Sequence, residues 1–150
     1  MADSKTLSEK KRLELYQAIQ KRALAWSVAE ADVQEIDRLN ILQASLLAMQ
    51  RAVSHLSIQP AYVLIDGNRM PNLTVSAQTI VQGDRKIPAI SAASIIAKVH
   101  RDLIMHEYSR KFPGFSFDQH KGYGTKQHLA ELAQFGPLII HRRSFKPVKD

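Results

Sequence analysis

The pattern of hydrophobic and polar residues predicts a helix near the start of the chain. Thr6-Leu7-Ser8-Glu9 has the form of a helix-capping box. Leu15, Ile19 and Ala23 then recur at helical spacing through a lysine-rich segment, which indicates a surface helix. After this helix, Trp26-Ser27-Val28-Ala29 predicts a short strand.

A second helix and a strand follow. Apolar residues at helical spacing predict a helix that packs in the core, and the Gln59-Pro60 pair ends it. The stripe consists of Leu39, Leu42, Leu46, Met49, Val53 and Leu56. Residues 62–65, at the start of YVLIDGN, are continuously apolar and predict a central strand covered on both faces. Asp66 lies at its end, before the break at Gly67-Asn68.

The middle of the chain predicts a loop, a strand and a longer helix. Residues 67–77 are rich in Gly, Asn, Pro and small polar residues, and Thr79-Ile80-Val81 indicates one more short strand before Gly83-Asp84. The segment ISAASIIAKVHRD then predicts a helix. Helical and strand-like stretches alternate, and 150 residues with 45% hydrophobic content suit one ordinary domain. We therefore expect a single α/β domain over residues 1–150.

Two faces of the predicted long helix differ in character. Ser94, Lys98 and Asp102 are spaced by four, so a hydroxyl, an ammonium and a carboxylate share one face. On spacing alone, the simpler interpretation of this face is a solvated surface with a Lys98–Asp102 ion pair. Ile95, Val99 and Leu103 are rotated by about 100° from that face and are expected to point to the core.

Charge narrows the choice of partners. Lys and Arg number 21 against 14 acids, which gives a net charge of +7 and favours a polyanionic partner.

The chain has no cysteine, so thiolate chemistry is excluded and the cytoplasm is the expected compartment. No apolar run approaches a membrane-spanning length, and no membrane partner is expected.

Candidate chemistry lies at two places. A buried lone carboxylate is costly, so Asp66 needs a partner, solvent or a cation. From residue 120 to the end there are six Lys or Arg against two acids, and Tyr123 stands between two glycines, where its ring can approach a sugar or base. A tyrosine in an ordinary turn and a solvated basic run are the simpler interpretations of these features.

Several motifs together resemble one known family. They occur in the family's order along essentially the whole chain. The motifs are Asp3-Ser4-Lys5, Asp37-Arg38-Leu39-Asn40-Ile41, Leu64-Ile65-Asp66-Gly67-Asn68, Ser91-Ala92-Ala93-Ser94-Ile95-Ile96-Ala97-Lys98, Arg101-Asp102, His120-Lys121-Gly122-Tyr123-Gly124-Thr125 and Arg142-Arg143-Ser144-Phe145. The sequence is similar to bacterial ribonuclease HII, the type 2 ribonuclease H.

The resemblance implies a ribonuclease-H-like mixed sheet flanked by helices. It also implies an endonuclease that cuts the RNA strand of RNA/DNA hybrids and DNA at embedded ribonucleotides, using two divalent ions, Mg²⁺ or Mn²⁺, held by carboxylates. By motif, Asp66 corresponds to the family's third active-site carboxylate and Asp102 to the fourth. Both are expected to be catalytic metal ligands.

The resemblance also implies nucleic-acid contacts. Tyr123 corresponds to the family's tyrosine near the junction of ribonucleotide and deoxyribonucleotide, where its ring favours a sugar without the 2′-hydroxyl. Lys5, Ser94, Lys98 and Arg142 correspond to polar or basic positions near the groove and are expected to contact phosphates.

The sequence departs from the family pattern at its beginning. The family has a strand with adjacent Asp and Glu, followed by a Gly-Arg-Gly loop that reads the 2′-hydroxyl, and neither motif occurs in the 150 residues. Asp3 belongs to a later motif and is a poor substitute. We therefore expect a chain that is truncated at its N-terminus and lacks the first strands of the family's sheet. Its activity should be low, because two carboxylates hold two magnesium ions poorly. A monomer is expected once the missing segment is restored.

Two alternatives of other classes remain open at this point. One is a nucleic-acid-binding module without catalysis, which keeps the basic groove and Tyr123. The other is a plain basic α/β domain, in which Asp66 caps a helix or forms an ion pair. The related ribonuclease HIII carries an additional N-terminal substrate-binding domain, and no such domain is visible in this sequence.

Overall fold

The computed structural model describes residues 7–112 and Phe117, and it is a mixed α/β structure, as predicted. The elements follow in the order α1 (Glu9–Arg22), α2 (Val33–Leu39), α3 (Ile41–Ser54), β1 (Tyr62–Asp66), β2 (Ser76–Ile80), α4 (Gly83–Lys86) and α5 (Pro88–Lys111). Within this described part, every helix is too short or too polar to cross a lipid bilayer.

The chain divides into two compact units. One consists of the described residues up to Glu30 together with Ser45–Val99, and it contains α1, the sheet and α4. The other consists of Ala31–Ala44 together with the described residues from His100 onward, and it contains α2. Helices α3 and α5 contribute residues to both units. The single domain expected over residues 1–150 stays a prediction.

Helix α1 is a surface helix, as expected. Its N-cap is Ser8 rather than the predicted Thr6, and the Ser8 hydroxyl accepts a 3.1 Å hydrogen bond from the backbone N–H of Lys11. Lys21 and Arg22 lie in the last turn, where positive charge interacts favourably with the helix dipole. No residue of α1 is buried, so the helix contributes little to the core.

The strand predicted for residues 26–29 is absent, and this segment is irregular. Its side chains contact helices instead of extending a sheet. The Trp26 ring meets Tyr16 of α1 edge-on at a centroid distance of 6.5 Å, and the Ser27 hydroxyl donates to the carbonyl of Ala52 in α3. These contacts place the segment against α1 and α3 rather than beside a strand.

The predicted apolar helix corresponds to α3, although a break after Leu39 leaves that first residue of the stripe in α2, and α3 ends at Ser54, before the expected Gln59-Pro60. Asp32 and Glu35 form a reciprocal capping box at the start of α2, and Asn40 separates α2 from α3 with a φ of 83°. The Asn40 side chain accepts a 2.9 Å hydrogen bond from the backbone N–H of Gln43 and so caps α3. The break changes which residues are buried: Ile36 and Ala44 lie inside, whereas Leu42 of the predicted core stripe is exposed.

The sheet of the first unit is formed by β1 and β2, which run parallel with Tyr62 opposite Ser76 and Asp66 opposite Ile80. Both strands were predicted, although β2 begins at Ser76, within the expected loop. In the described part of the chain β1 pairs with β2 alone. Of its five residues only Ile65 is buried, whereas Val63 and Leu64 are half-buried and Tyr62 and Asp66 are exposed, so the described residues do not show the expected cover on both faces.

Helix α5 is the longest described element and starts at Pro88, a residue suited to the first helical turn because its missing N–H would have no partner there. Ile95 and Val99 are buried as predicted, but Leu103 is 50% exposed, which contradicts the prediction. In the second unit, the end of α5 packs around Met105 and Phe117, with Ile104, Tyr108 and Phe112 beside them.

Candidate metal and nucleic-acid site

Asp66 is the carboxylate that the strand pattern singled out, and the structure places it at the exposed end of β1. Ile65, the residue before it, is buried and anchors the strand. The turn after it begins with Gly67, whose φ of 113° is readily adopted only by glycine. The chain therefore leaves the sheet directly after Asp66, which puts the carboxylate at the surface.

The Asp66 side chain is held by a backbone group. Its Oδ1 accepts a 2.9 Å hydrogen bond from the N–H of Gly83, the first residue of α4. Gly83 reaches this position because Gln82 turns the chain with left-handed φ and ψ angles of 54° and 37°. In the sequence, Gly83-Asp84 marks only the end of a predicted strand. The available signal was a glycine just after the strand that neighbours Asp66.

Asp102 occupies a different environment. It lies on α5 and is 5% exposed, so the interpretation of Ser94, Lys98 and Asp102 as one solvated face is wrong at its third member. The spacing explains this, because Asp102 follows Ile95 and Val99 by seven and three residues and continues their buried stripe. A buried carboxylate requires polar partners or a cation, and Asp102 does take part in a polar interaction.

The other predicted site residues divide into two groups. Ser94 and Lys98 are half-buried on α5, in the first unit, and lie one helical turn apart. Lys5, Tyr123 and Arg142 lie outside the described residues. Asp66 belongs to the first unit and Asp102 to the second.

A divalent cation such as Mg²⁺ prefers oxygen ligands, and Asp66 fits this requirement. Its carboxylate is exposed, and a hydrogen bond to one oxygen fixes its orientation, as is common for metal ligands. Over residues 7–112 and at Phe117, however, no group of three or more Asp, Glu, His or Cys side chains is arranged to hold a metal ion. The described residues thus supply a suitable ligand but not a complete cage.

Comparison with known proteins decides the family. The family model described as ribonuclease HII matches residues 1–148. The chain belongs to the ribonuclease HII family. Members of this family are divalent-metal-dependent nucleases that cleave RNA in RNA/DNA hybrids. The resemblance seen in the sequence motifs is therefore confirmed.

Individual relatives agree with this assignment. Ribonuclease HII of Coxiella burnetii, in the strains Dugway 5J108-111 and RSA 493 / Nine Mile phase I, is 58% identical over 149 residues, covering 99% of this chain and 74% of the relative. The crystal structure of ribonuclease H2 from Pyrococcus horikoshii OT3 is similar in fold, with a TM-score of 0.75. That match has 22% sequence identity and covers 97% of this chain and 77% of the archaeal one. The ribonuclease HII fold is thereby confirmed.

Proposed function

We propose that this ribonuclease HII chain cuts the RNA strand of RNA/DNA hybrids and DNA at embedded ribonucleotides, with Asp66 and Asp102 as its catalytic metal ligands. The observation that carries the proposal is the placement of Asp66. An exposed carboxylate at a strand end, with Oδ1 held by the Gly83 N–H, is oriented before any cation arrives. Such preorganisation is what a catalytic metal ligand requires.

Mg²⁺ or Mn²⁺ is the proposed cofactor. When bound, the ions activate a water molecule and stabilise the leaving oxygen in an in-line displacement at the phosphate. Asp66 contributes a charged oxygen ligand from the end of β1. Asp102 contributes a second carboxylate from α5, where its burial limits the number of orientations it can adopt.

The proposed nucleic-acid contacts involve five residues. Lys98 reaches a phosphate from α5 with a charge that favours any polyanion, and Ser94 offers a hydroxyl one turn earlier. Lys5 and Arg142 are proposed to contact further phosphates, and Tyr123 to place its ring against the deoxyribose beside the cut. The net charge of +7 supports this interface.

We propose that this chain of 150 residues, tested alone, cuts slowly. It contains Asp66 and Asp102 but no adjacent Asp-Glu pair and no Gly-Arg-Gly motif within its 150 residues. We further propose that the chain forms a single domain and acts in the cytoplasm. It is proposed to be monomeric once those motifs are supplied.

The absence of an Asp-Glu pair and a Gly-Arg-Gly motif from these 150 residues favours a second candidate, a nucleic-acid-binding module without catalysis. The two are separated by incubating an excess of the chain with a duplex that contains one ribonucleotide, with Mg²⁺, with Mn²⁺ or with EDTA, and measuring binding without metal in parallel. Nicking at the ribonucleotide only when metal is present supports the enzyme. Binding with no nicking after long incubation supports the module.

A matched all-DNA duplex is the control in this experiment. Nicking of both duplexes at the same rate would contradict the proposed substrate class. The absence of hybrid binding at low salt would contradict both candidates.

A further inference from the structure

The backbone of Gly83 is confined between three side chains. A Cβ atom added at this residue would lie 2.6 Å from Cδ1 of Ile90, 3.4 Å from Cβ of Ile80 and 3.5 Å from Oδ1 of Asp66. Gly83 itself is buried, and so is Ile90. A separation of 2.6 Å is too short for two carbon atoms, so a side chain at residue 83 would displace either the Ile90 side chain or the backbone that contacts Asp66.

The N–H of Gly83 is available to Asp66 for a structural reason. The first N–H groups of a helix have no acceptor within that helix, and Gly83 is the first residue of α4. The αL turn at Gln82 brings this N–H to the end of β1 after β2 has ended at Ile80. The hydrogen bond to Oδ1 of Asp66 satisfies the donor and restricts rotation of the carboxylate.

We propose that Gly83 is a positioning residue, whose N–H holds the Asp66 carboxylate in the orientation that receives a divalent cation. Glycine brings its N–H to Asp66 while Ile90 stays in place, and a residue with a Cβ would have to displace Cδ1 of Ile90 to do the same. The inference rests on the proposed role of Asp66 as a cation ligand. Its effect is measurable on the chain alone, without nucleic acid or turnover.

The first test observes the hydrogen bond itself. In the ¹⁵N-labelled chain, the amide proton of Gly83 should resonate downfield, because its acceptor is charged. Asp66→Ala should move this resonance upfield, whereas Asp84→Asn, a change to the neighbouring residue, should leave it nearly in place. An unchanged Gly83 resonance in Asp66→Ala would overturn the proposal.

The second test measures affinity for Mn²⁺ from the electron paramagnetic resonance signal of the free ion. Gly83→Ala should weaken Mn²⁺ binding on the order of 10-fold, the usual effect of losing a group that orients a metal ligand. Adding Ile90→Val removes the Cδ1 atom that the new Cβ meets, so the double variant should recover most of the affinity. Because Ile90 carries no metal-binding atom in its side chain, rescue by removing its Cδ1 distinguishes positioning from direct ligation.

A stability control accompanies these variants. Ile36→Ala removes buried apolar atoms from α2, a helix that contains neither of the proposed metal ligands nor Gly83, and circular dichroism gives the folded fraction of every variant. At equal folded fraction, Ile36→Ala should bind Mn²⁺ as the unmodified chain does. If it loses as much affinity as Gly83→Ala, Gly83 has only a structural role and the proposal fails.

Asp66→Ala, measured in the same titration, distinguishes the positioning role of Gly83 from the metal role of Asp66. If it weakens Mn²⁺ binding and Gly83→Ala does not, the positioning role is wrong while the proposed function stands. If Asp66→Ala leaves Mn²⁺ affinity unchanged, the proposed metal role of Asp66 is wrong, and the role of Gly83 falls with it.

Discussion

Asp66 lies directly opposite Ile80 in the register of the parallel strands β1 and β2. The next residue, Gly67, donates its N–H to the Ile80 carbonyl over 3.0 Å, so strand pairing continues one residue beyond the carboxylate. The main chain at Asp66 is thus held by β2, and its side chain by Gly83. A carboxylate fixed in both ways is suited to a catalytic metal ligand.

Gly67→Ala should destabilise the fold through backbone conformation alone. Open space surrounds the position of the new Cβ, but the φ of 113° is unfavourable for alanine and should cost about 1–3 kcal/mol. Urea unfolding at equilibrium measures this difference. The neighbouring change Asn68→Ala, at an exposed residue, should stay within about 0.5 kcal/mol. Equal losses for the two variants would contradict the explanation.

Asn40 should be replaceable by glycine but not by alanine. Alanine removes the side-chain cap on Gln43 and must also adopt a φ of 83°, so Asn40→Ala should cost about 1–2 kcal/mol. Glycine loses the cap but relieves the backbone, and should cost only about 0.3 kcal/mol. Thermal unfolding of the pair checks the order. If Asn40→Gly were less stable than Asn40→Ala, the backbone at Asn40 would not be strained.

Burial along α5 predicts unequal effects of alanine on two apolar residues. Ile95 is fully buried, and Ile95→Ala should cost about 2–5 kcal/mol because it leaves a cavity. Leu103→Ala removes a half-exposed side chain and should cost less than about 1 kcal/mol. Urea unfolding compares the two variants. Similar losses would mean that Leu103 belongs to the core, as its spacing first suggested.

Lys98 should contribute to the salt dependence of hybrid binding. If it contacts one phosphate, Lys98→Gln should reduce the slope of log affinity against log salt concentration by about 1. Lys10→Gln, at an exposed position on α1, is the matched control and should leave the slope unchanged. Fluorescence anisotropy with an RNA/DNA hybrid over several salt concentrations measures both slopes. An unchanged slope in Lys98→Gln would remove this residue from the interface.

The sequence predicts those features that depend on local pattern. The apolar run before Asp66 predicts β1, and the regular spacing around Ile95 predicts α5. What it misses depends on a local side-chain cap and on contacts between residues far apart in the sequence. The turn at Asn40 requires a side-chain cap within an otherwise continuous apolar stripe, and residues around Trp26 contact helices in place of strands.

The candidate site shows the same division. Its carboxylates are identifiable from their motifs, but the burial of Asp102 follows from continuing the Ile95–Val99 stripe rather than from four-residue spacing. The role of Gly83 has only a weak signal in the sequence, a glycine soon after a predicted strand, because a backbone N–H has no side-chain signature. Only the approach of α4 to the end of β1 reveals it.

The most direct test of the proposed function compares the chain with Asp66→Asn on a duplex that contains one ribonucleotide. Asparagine keeps the shape and an oxygen acceptor for the Gly83 N–H but removes the charge that binds a cation. With excess protein and Mn²⁺, the unmodified chain should nick the duplex slowly at the ribonucleotide. Asp66→Asn should reduce that rate by about 100-fold or more, with hybrid affinity and folding unchanged. Equal nicking by both proteins would contradict the assignment of Asp66 as a catalytic metal ligand.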